Sequence, residues 1–244
     1  MYINSDLTAI AVIPGLLIFA YVYKKDKVEK EPIGLVIRTN IAGAASCLVA
    51  GFAEGIEMQF LPKYPQGTIQ YALLTSFAVA AFCEEIVKYL AMRLFTWRYQ
   101  GFNYRFDGIV YGVAAAVGFA IFENVSYVAQ YGFQTGIVRA FTAVPLHASC
   151  GVFMGVFYAY SKKAAILGQS PARFTLLALL VPMLLHGVYD TMAFMGEAGT
   201  LPLLVLVVIM YFVVIRTINK MSAADYREGF YPKARSIDID IDRY

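Results

Sequence analysis

Long apolar runs separated by short polar breaks dominate this chain. A helix needs about 20 apolar residues to cross a hydrocarbon layer about 30 Å thick. On that scale seven runs qualify, at roughly 7–23, 34–60, 69–95, 107–131, 137–160, 173–195 and 200–217. The breaks include KKDKVEKEP, LPKYPQG, RYQGFNYR, KKAAILGQSPAR and GEAGTLP, and their Pro and Gly residues interrupt helix. The pattern predicts an all-α fold, a polytopic transmembrane helix bundle of about seven spans. A single membrane domain is expected over residues 1–220, followed by a polar tail at 221–244 on the cytoplasmic side. The tail ends SIDIDIDRY, and a terminal segment with alternate charged residues is expected to be flexible. The first run has no basic n-region and no obvious small-residue cleavage site, so it is expected to be a retained span.

Composition agrees and narrows the class. Charged residues make up 15% of the 244, and apolar types 59%, against about 25% charged in a typical soluble protein. Mean hydropathy is +0.61. A soluble domain of this size cannot hide so much apolar surface. A secreted disulfide scaffold and a nucleic-acid-binding domain are thereby excluded. The bilayer is the expected solvent, and no nucleic-acid partner is expected. Cys47, Cys83 and Cys150 lie in apolar stretches without metal-site spacing, and packing accounts for them.

Basic residues predict the orientation. With the N-terminus outside and the C-terminus inside, 17 of the 20 Lys and Arg residues fall on the inner side. Only Lys63 and Arg139 fall outside, and Lys88 lies within a span.

Ionisable side chains within spans are expensive and often mark function. The third span carries Glu84, Glu85 and Lys88, the fourth Glu123 and Asn124, the fifth His147, and the sixth His186 and Asp190. These are the only two histidines in the chain. Glu84 and Lys88 share a helix face, as do His186 and Asp190, whereas Glu85 is rotated about 100° from Glu84. At about 1.5 Å per residue, Glu84 lies about 16 Å from the inner end, His186 about 19 Å, His147 about 20 Å and Glu123 about 24 Å. Four helices thus bring polar groups to one layer in the middle or outer half of the bilayer, as bundle-core sites require. Gly108, Gly112 and Ala116, and likewise Gly151 and Gly155, predict close helix packing. Pro145 and Pro182 each remove a backbone donor near a histidine. Glu54 and Glu57 are expected to face water near the outer end. Trp97, Tyr99 and Phe102 are expected in the inner interfacial belt. Asp107 is expected to cap the fourth span.

Two carboxylates, two imidazoles, an amide and an ammonium suit water activation and oxyanion stabilisation. The catalytic candidates are Glu84, Glu85, Glu123, His147 and His186, supported by Lys88, Asn124 and Asp190. No GxSxG, GxGD or HExxH motif is present, so serine and zinc-helix peptidase templates fit poorly.

EEIVK, FAIFEN, PLHASCG and HGVYD occur in that order in separate spans. On these motifs, within a core of residues 80–192 that also holds FDGIVYG and Arg139, the chain resembles the PrsW family of membrane proteases. That family is related to the CAAX-processing glutamate intramembrane proteases. In the wider group the second motif carries His where this chain has Glu123, and the last often ends in Asn where it has Asp190. The resemblance implies a multi-pass endopeptidase of the bacterial inner membrane. It implies site-1 cleavage of a single-span anti-sigma factor on the extracytoplasmic side. Glu84 and Glu85 would supply the essential acid, one of them as base toward water. No metal ligand and no cofactor is expected. The alternatives are a zinc peptidase, with the ion on His147, His186 and a carboxylate, and a non-enzymatic protein. The latter would be a proton-coupled transporter or a helix-binding protein. A single-span membrane protein is the expected partner.

Overall fold

The computed structural model describes residues 5–225, 229 and 230, so most of the expected tail, with SIDIDIDRY, lies outside the described residues. Regular structure among the described residues is helical throughout. In chain order the elements are α1 (Ser5–Lys25), α2 (Ile33–Phe60) and α3 (Ile69–Leu73), then a π-helical segment (Leu74–Ala81). After it come α4 (Phe82–Thr96), α5 (Arg105–Tyr131), α6 (Phe133–Phe141), α7 (Ala143–Ile166), α8 (Ala172–Phe194) and α9 (Glu197–Asp225). Six stretches are long and apolar enough to cross a membrane: α1, α2, α5, α6 with α7, α8 and α9. The remaining expected span is helical over 69–96, but as α3, the π segment and α4 in succession.

The α5 helix is the axis of the bundle, buried along most of its length, whereas α1, α2 and α9 turn large apolar side chains outward. Phe52, Leu94 and Phe212 are more than 70% exposed, which suits a lipid-facing surface and not a water-facing one. The start of α5 is fixed by the expected cap: Asp107 Oδ2 accepts the backbone N–H groups of Asn103 (2.9 Å) and Tyr104 (2.8 Å). Glycine sets the α5–α7 crossing. A Cβ on Gly112 would lie 2.2 Å from the Gly151 carbonyl oxygen, and one on Gly108 2.4 Å from that of Gly155. Any side chain larger than hydrogen would push the helices apart.

The structure departs from expectation at three further places. The fifth span, expected over 137–160, is two helices, with the break at Thr142. Pro145 has no N–H to offer the Phe141 carbonyl, and the Tyr211 hydroxyl of α9 donates to that oxygen instead at 3.2 Å. Second, α9 continues past residue 220 to Asp225, and Phe230 is buried with its ring 5.8 Å from that of Phe102. Third, Phe102 is not an interfacial-belt residue. It is fully buried and packs edge-on to Tyr111 (5.3 Å) and beside Tyr158 (5.2 Å). The loop before α5 folds inward because Asp107 draws its backbone to the helix start, and this carries Phe102 into the aromatic cluster.

Candidate active site

Helix α4 places three charged groups together. Lys88 lies four residues after Glu84 and three after Glu85, so its ammonium falls between two carboxylates that leave the helix in different directions. Nζ donates to Glu84 Oε2 at 2.9 Å and to Glu85 Oε1 at 2.8 Å. Lys88 and Glu85 are fully buried, whereas the Glu84 side chain keeps 9% exposure. The π segment ends three residues before Glu84. It packs onto α8 where Gly187 has no side chain, since a Cβ there would lie 2.4 Å from the Phe77 ring. Widened turns of this kind recur near functional sites. Here the segment sets the approach of α4 to α8.

His147, on α7, completes the surroundings of Lys88. Its Nδ1 lies 2.9 Å from Nζ. An ammonium only donates, so Nδ1 is the acceptor and Nε2 carries the hydrogen. That hydrogen points to Glu123 Oε2 at 2.8 Å. Glu123 is held in turn by Arg139 Nη2 at 2.6 Å, and Arg139 Nε donates to Asn124 Oδ1 at 2.9 Å. Asn124 Nδ2 donates to the Ala11 carbonyl at 3.1 Å, and the residue is fully buried. With both ends engaged, Asn124 braces α1, α5 and α6. The Phe119 ring closes one side, 4.1 Å from Lys88 Nζ, where its negative face favours the cation.

On α8, His186 Nδ1 lies 2.8 Å from Glu85 Oε1 and Nε2 lies 3.2 Å from Asp190 Oδ2. Its ring centroid is 5.2 Å from that of His147. Both His147 Nδ1 and His186 Nε2 stand 3.9 Å from Glu84 Oε2. Glu84, Glu85, Lys88, His147 and His186 therefore form one cluster. Glu123 and Asp190 stand behind a histidine each, with side chains 17% and 18% exposed. Glu54 and Glu57 are part-exposed, and Glu57 accepts the Cys83 thiol at 3.3 Å. The three cysteines are free.

Two contributors have no role assigned by the sequence: Arg139 and Phe119. Arg139, expected on the outer side and within the motif core, stacks its guanidinium on Tyr127 at 3.8 Å and anchors Glu123. Its spacing from Glu123 follows neither a helix face nor a short motif. Phe119 lies four residues before Glu123 in FAIFEN, and that i,i+4 relation is a signal that could have placed it beside the site.

A membrane-embedded helix bundle with a buried acid–imidazole–ammonium cluster defines a polytopic membrane protein that holds its ionisable groups away from bulk water. A family model described as "PrsW family intramembrane metalloprotease" matches residues 31–217. Protease PrsW of Halalkalibacterium halodurans is 30% identical over 222 residues, covering 91% of this chain and 99% of that protein. The Geobacillus kaustophilus protein of the same name is 32% identical over 186 residues, covering 76% and 78%. The Bacillus subtilis (strain 168) protein is 31% identical over 179 residues, covering 73% and 78%. No solved structure matches. The chain belongs to the PrsW family, a family of membrane-embedded peptidases.

The family description implies a metal ion, and the residues present fit one by type. Glu84, Glu85, His147 and His186 are all buried, and each offers a ligand atom within 4.8 Å of the others. Two imidazoles and a carboxylate are a familiar open zinc set. Glu85 Oε2 is buried without a hydrogen-bond partner. Each histidine also has a carboxylate on its other ring nitrogen, the arrangement that orients metal-bound imidazoles. A bound ion would be held by His147, His186 and Glu84 or Glu85, and it would supply Lewis acidity toward water or a carbonyl.

Proposed function

We propose that this chain is a cell-membrane endopeptidase that hydrolyses a peptide bond in a single-span membrane substrate, with the Glu84 carboxylate as base toward water. The observation that carries the reading is the unequal pair on α4. Glu85 is fully buried between Lys88 and His186, while Glu84 retains an exposed edge beside both imidazoles. Of the two, Glu84 is the one with an edge open to a water and a substrate carbonyl.

Glu84 takes a proton from water as the water oxygen bonds to the carbonyl carbon. Negative charge develops on the carbonyl oxygen. His186 Nδ1 is held by Glu85 at 2.8 Å, and Nε2 donates to that oxygen by exchanging its longer contact, to Asp190 at 3.2 Å, for the carbonyl oxygen. Glu84 then returns the proton to the amide nitrogen as the C–N bond breaks, leaving an acid and an amine. Lys88 compensates the two carboxylates throughout. The expected substrate is an anti-sigma factor, cut on the extracytoplasmic side of a bacterial inner membrane. This follows from the motif resemblance, and the distribution of basic loops supports the orientation.

Detergent-purified protein is incubated with single-span reporters after chelation, and product masses are read. Cleavage at one bond, reduced about 10²- to 10⁴-fold by Glu84→Gln, is expected for a general base. No product from any single-span reporter, with or without added zinc, would refute the peptidase reading. The buried four-residue donor set favours a second reading, in which a metal ion assists. Cleavage abolished by chelation and restored by zinc would select it over unaided glutamate catalysis.

A further inference from the structure

The donor set that suits a metal ion already holds a cation. Lys88 Nζ lies 2.9 Å from Glu84 Oε2, 2.8 Å from Glu85 Oε1 and 2.9 Å from His147 Nδ1, at zero exposure. Three of the four residues that can ligate an ion are therefore engaged by one ammonium. We propose that Lys88 is a resident competitor for a divalent cation at this centre, so that the ammonium and a metal ion on His147 exclude one another.

The exclusion follows from the imidazole. His147 Nε2 is committed to Glu123 at 2.8 Å, which leaves Nδ1 alone to face the cluster. That nitrogen has one lone pair, and Lys88 occupies it. A metal ion cannot ligate His147 until Nζ withdraws. A carboxylate oxygen can accept two partners, so Glu84 and Glu85 alone would not force the choice. Charge acts in the same direction. An ammonium and a divalent ion a few Å apart in a dry interior repel strongly. Removing the ammonium leaves two buried carboxylates uncompensated, a costly state that a divalent ion would relieve.

The inference rests on the donor set of the metal reading, and its test reads binding, not cleavage. The full chain is stripped with chelator in detergent and titrated with Zn²⁺. Metal per chain is measured after gel filtration, and melting temperature is followed with and without zinc. Lys88→Met is expected to bind one equivalent about 100-fold or more tightly than the unmodified chain. Zinc should raise the melting temperature of Lys88→Met by more than that of the unmodified chain. Lys88→Arg, which keeps the charge, should bind as weakly as the unmodified chain. Adding His147→Ala to Lys88→Met should abolish the gain.

Equal affinity in Lys88→Met and the unmodified chain overturns the proposal. So does a gain that survives loss of His147. Should Lys88→Met not fold, the unmodified chain decides. Weak binding there supports the competition, and tight stoichiometric Zn²⁺ binding that His147→Ala removes overturns it. Failure here leaves the peptidase reading untouched, and failure of reporter cleavage leaves this binding test unchanged.

Discussion

Arg139 joins the far end of the site to the scaffold, and its removal should separate positioning from chemistry. The guanidinium donates to Glu123 at 2.6 Å and to Asn124 at 2.9 Å, and it stacks on Tyr127 at 3.8 Å. Hydrogen bonds to charged groups contribute about 1.5–3 kcal/mol each, and the cation–π contact about 0.5–1 kcal/mol. Both side chains of the ion pair are part-exposed, at 14% and 17%, so solvent screening reduces the total. Arg139→Ala should therefore destabilise the protein by about 2–3 kcal/mol. The functional consequence runs through His147. Glu123 without Arg139 is free to turn toward solvent, and His147 Nε2 then loses the partner that fixes the ring. Cleavage should fall about 10- to 100-fold, as for loss of an orienting outer partner. Arg139→Lys can reach one acceptor but not both, and should recover more stability than cleavage. Thermal melts in detergent and kcat/KM on a single-span reporter measure the two effects. A variant Arg139→Ala that melts like the parent and cleaves at full rate would refute the chain of support from Arg139 to His147.

Further tests address other links. Glu85→Gln should reduce cleavage less than Glu84→Gln, because an amide at 85 still accepts from Lys88, whereas an amide at 84 cannot take a proton; paired reporter assays settle the order. Gly112→Ala sets a Cβ 2.2 Å from the Gly151 oxygen, against an ordinary contact of about 3.4 Å. Over-packing of this kind costs about 1–3 kcal/mol, and cleavage should fall too because the Glu123–His147 bond also joins α5 to α7. In the loop between α1 and α2, burial pushes Asp26 up to about 6 and Glu31 up to about 7. A carboxyl raised by folding contributes stability in acid and loses it as pH rises through the folded value. Asp26→Asn and Glu31→Gln should therefore melt above the parent at about pH 8 and converge with it near about pH 4, as followed by melts across that range.

The seven apolar runs were legible because a bilayer imposes length and composition together. What escaped depends on partners distant in sequence. LTSFAVAA, the π segment, contains neither Pro nor Gly, so nothing local announces its wider turns. Its seat on Gly187 exists only once α8 is in place. Phe102 follows Trp97 and Tyr99 and shares their aromatic character. Its burial follows from the inward fold of the loop that Asp107 organises. The break at Thr142 is legible in part through Pro145, but the hydroxyl that satisfies Phe141 comes from α9.

The candidate site was legible for a different reason. Lipid makes each embedded charge costly, so Glu84, Glu85, Lys88, His147, His186 and Asp190 stood out against apolar neighbours before their partners were known. Cost identifies members of a site but not their pairing. Glu84 and Glu85 look alike in EEIVK, and helix geometry says only that they diverge. The difference between them arises from α8, where His186 closes on Glu85 and leaves Glu84 the exposed edge. Arg139 shows the converse. Near a span end its charge is cheap, so cost gave no warning, and its reach to Glu123 exists only because α6 docks against α5. The role of Lys88 lies between these cases. Its position between the two carboxylates follows from three- and four-residue spacing on one helix, but its hold on His147 Nδ1 requires α7. That third bond makes Lys88 more than a counter-ion of two glutamates, since it also occupies the one lone pair that His147 turns toward the cluster.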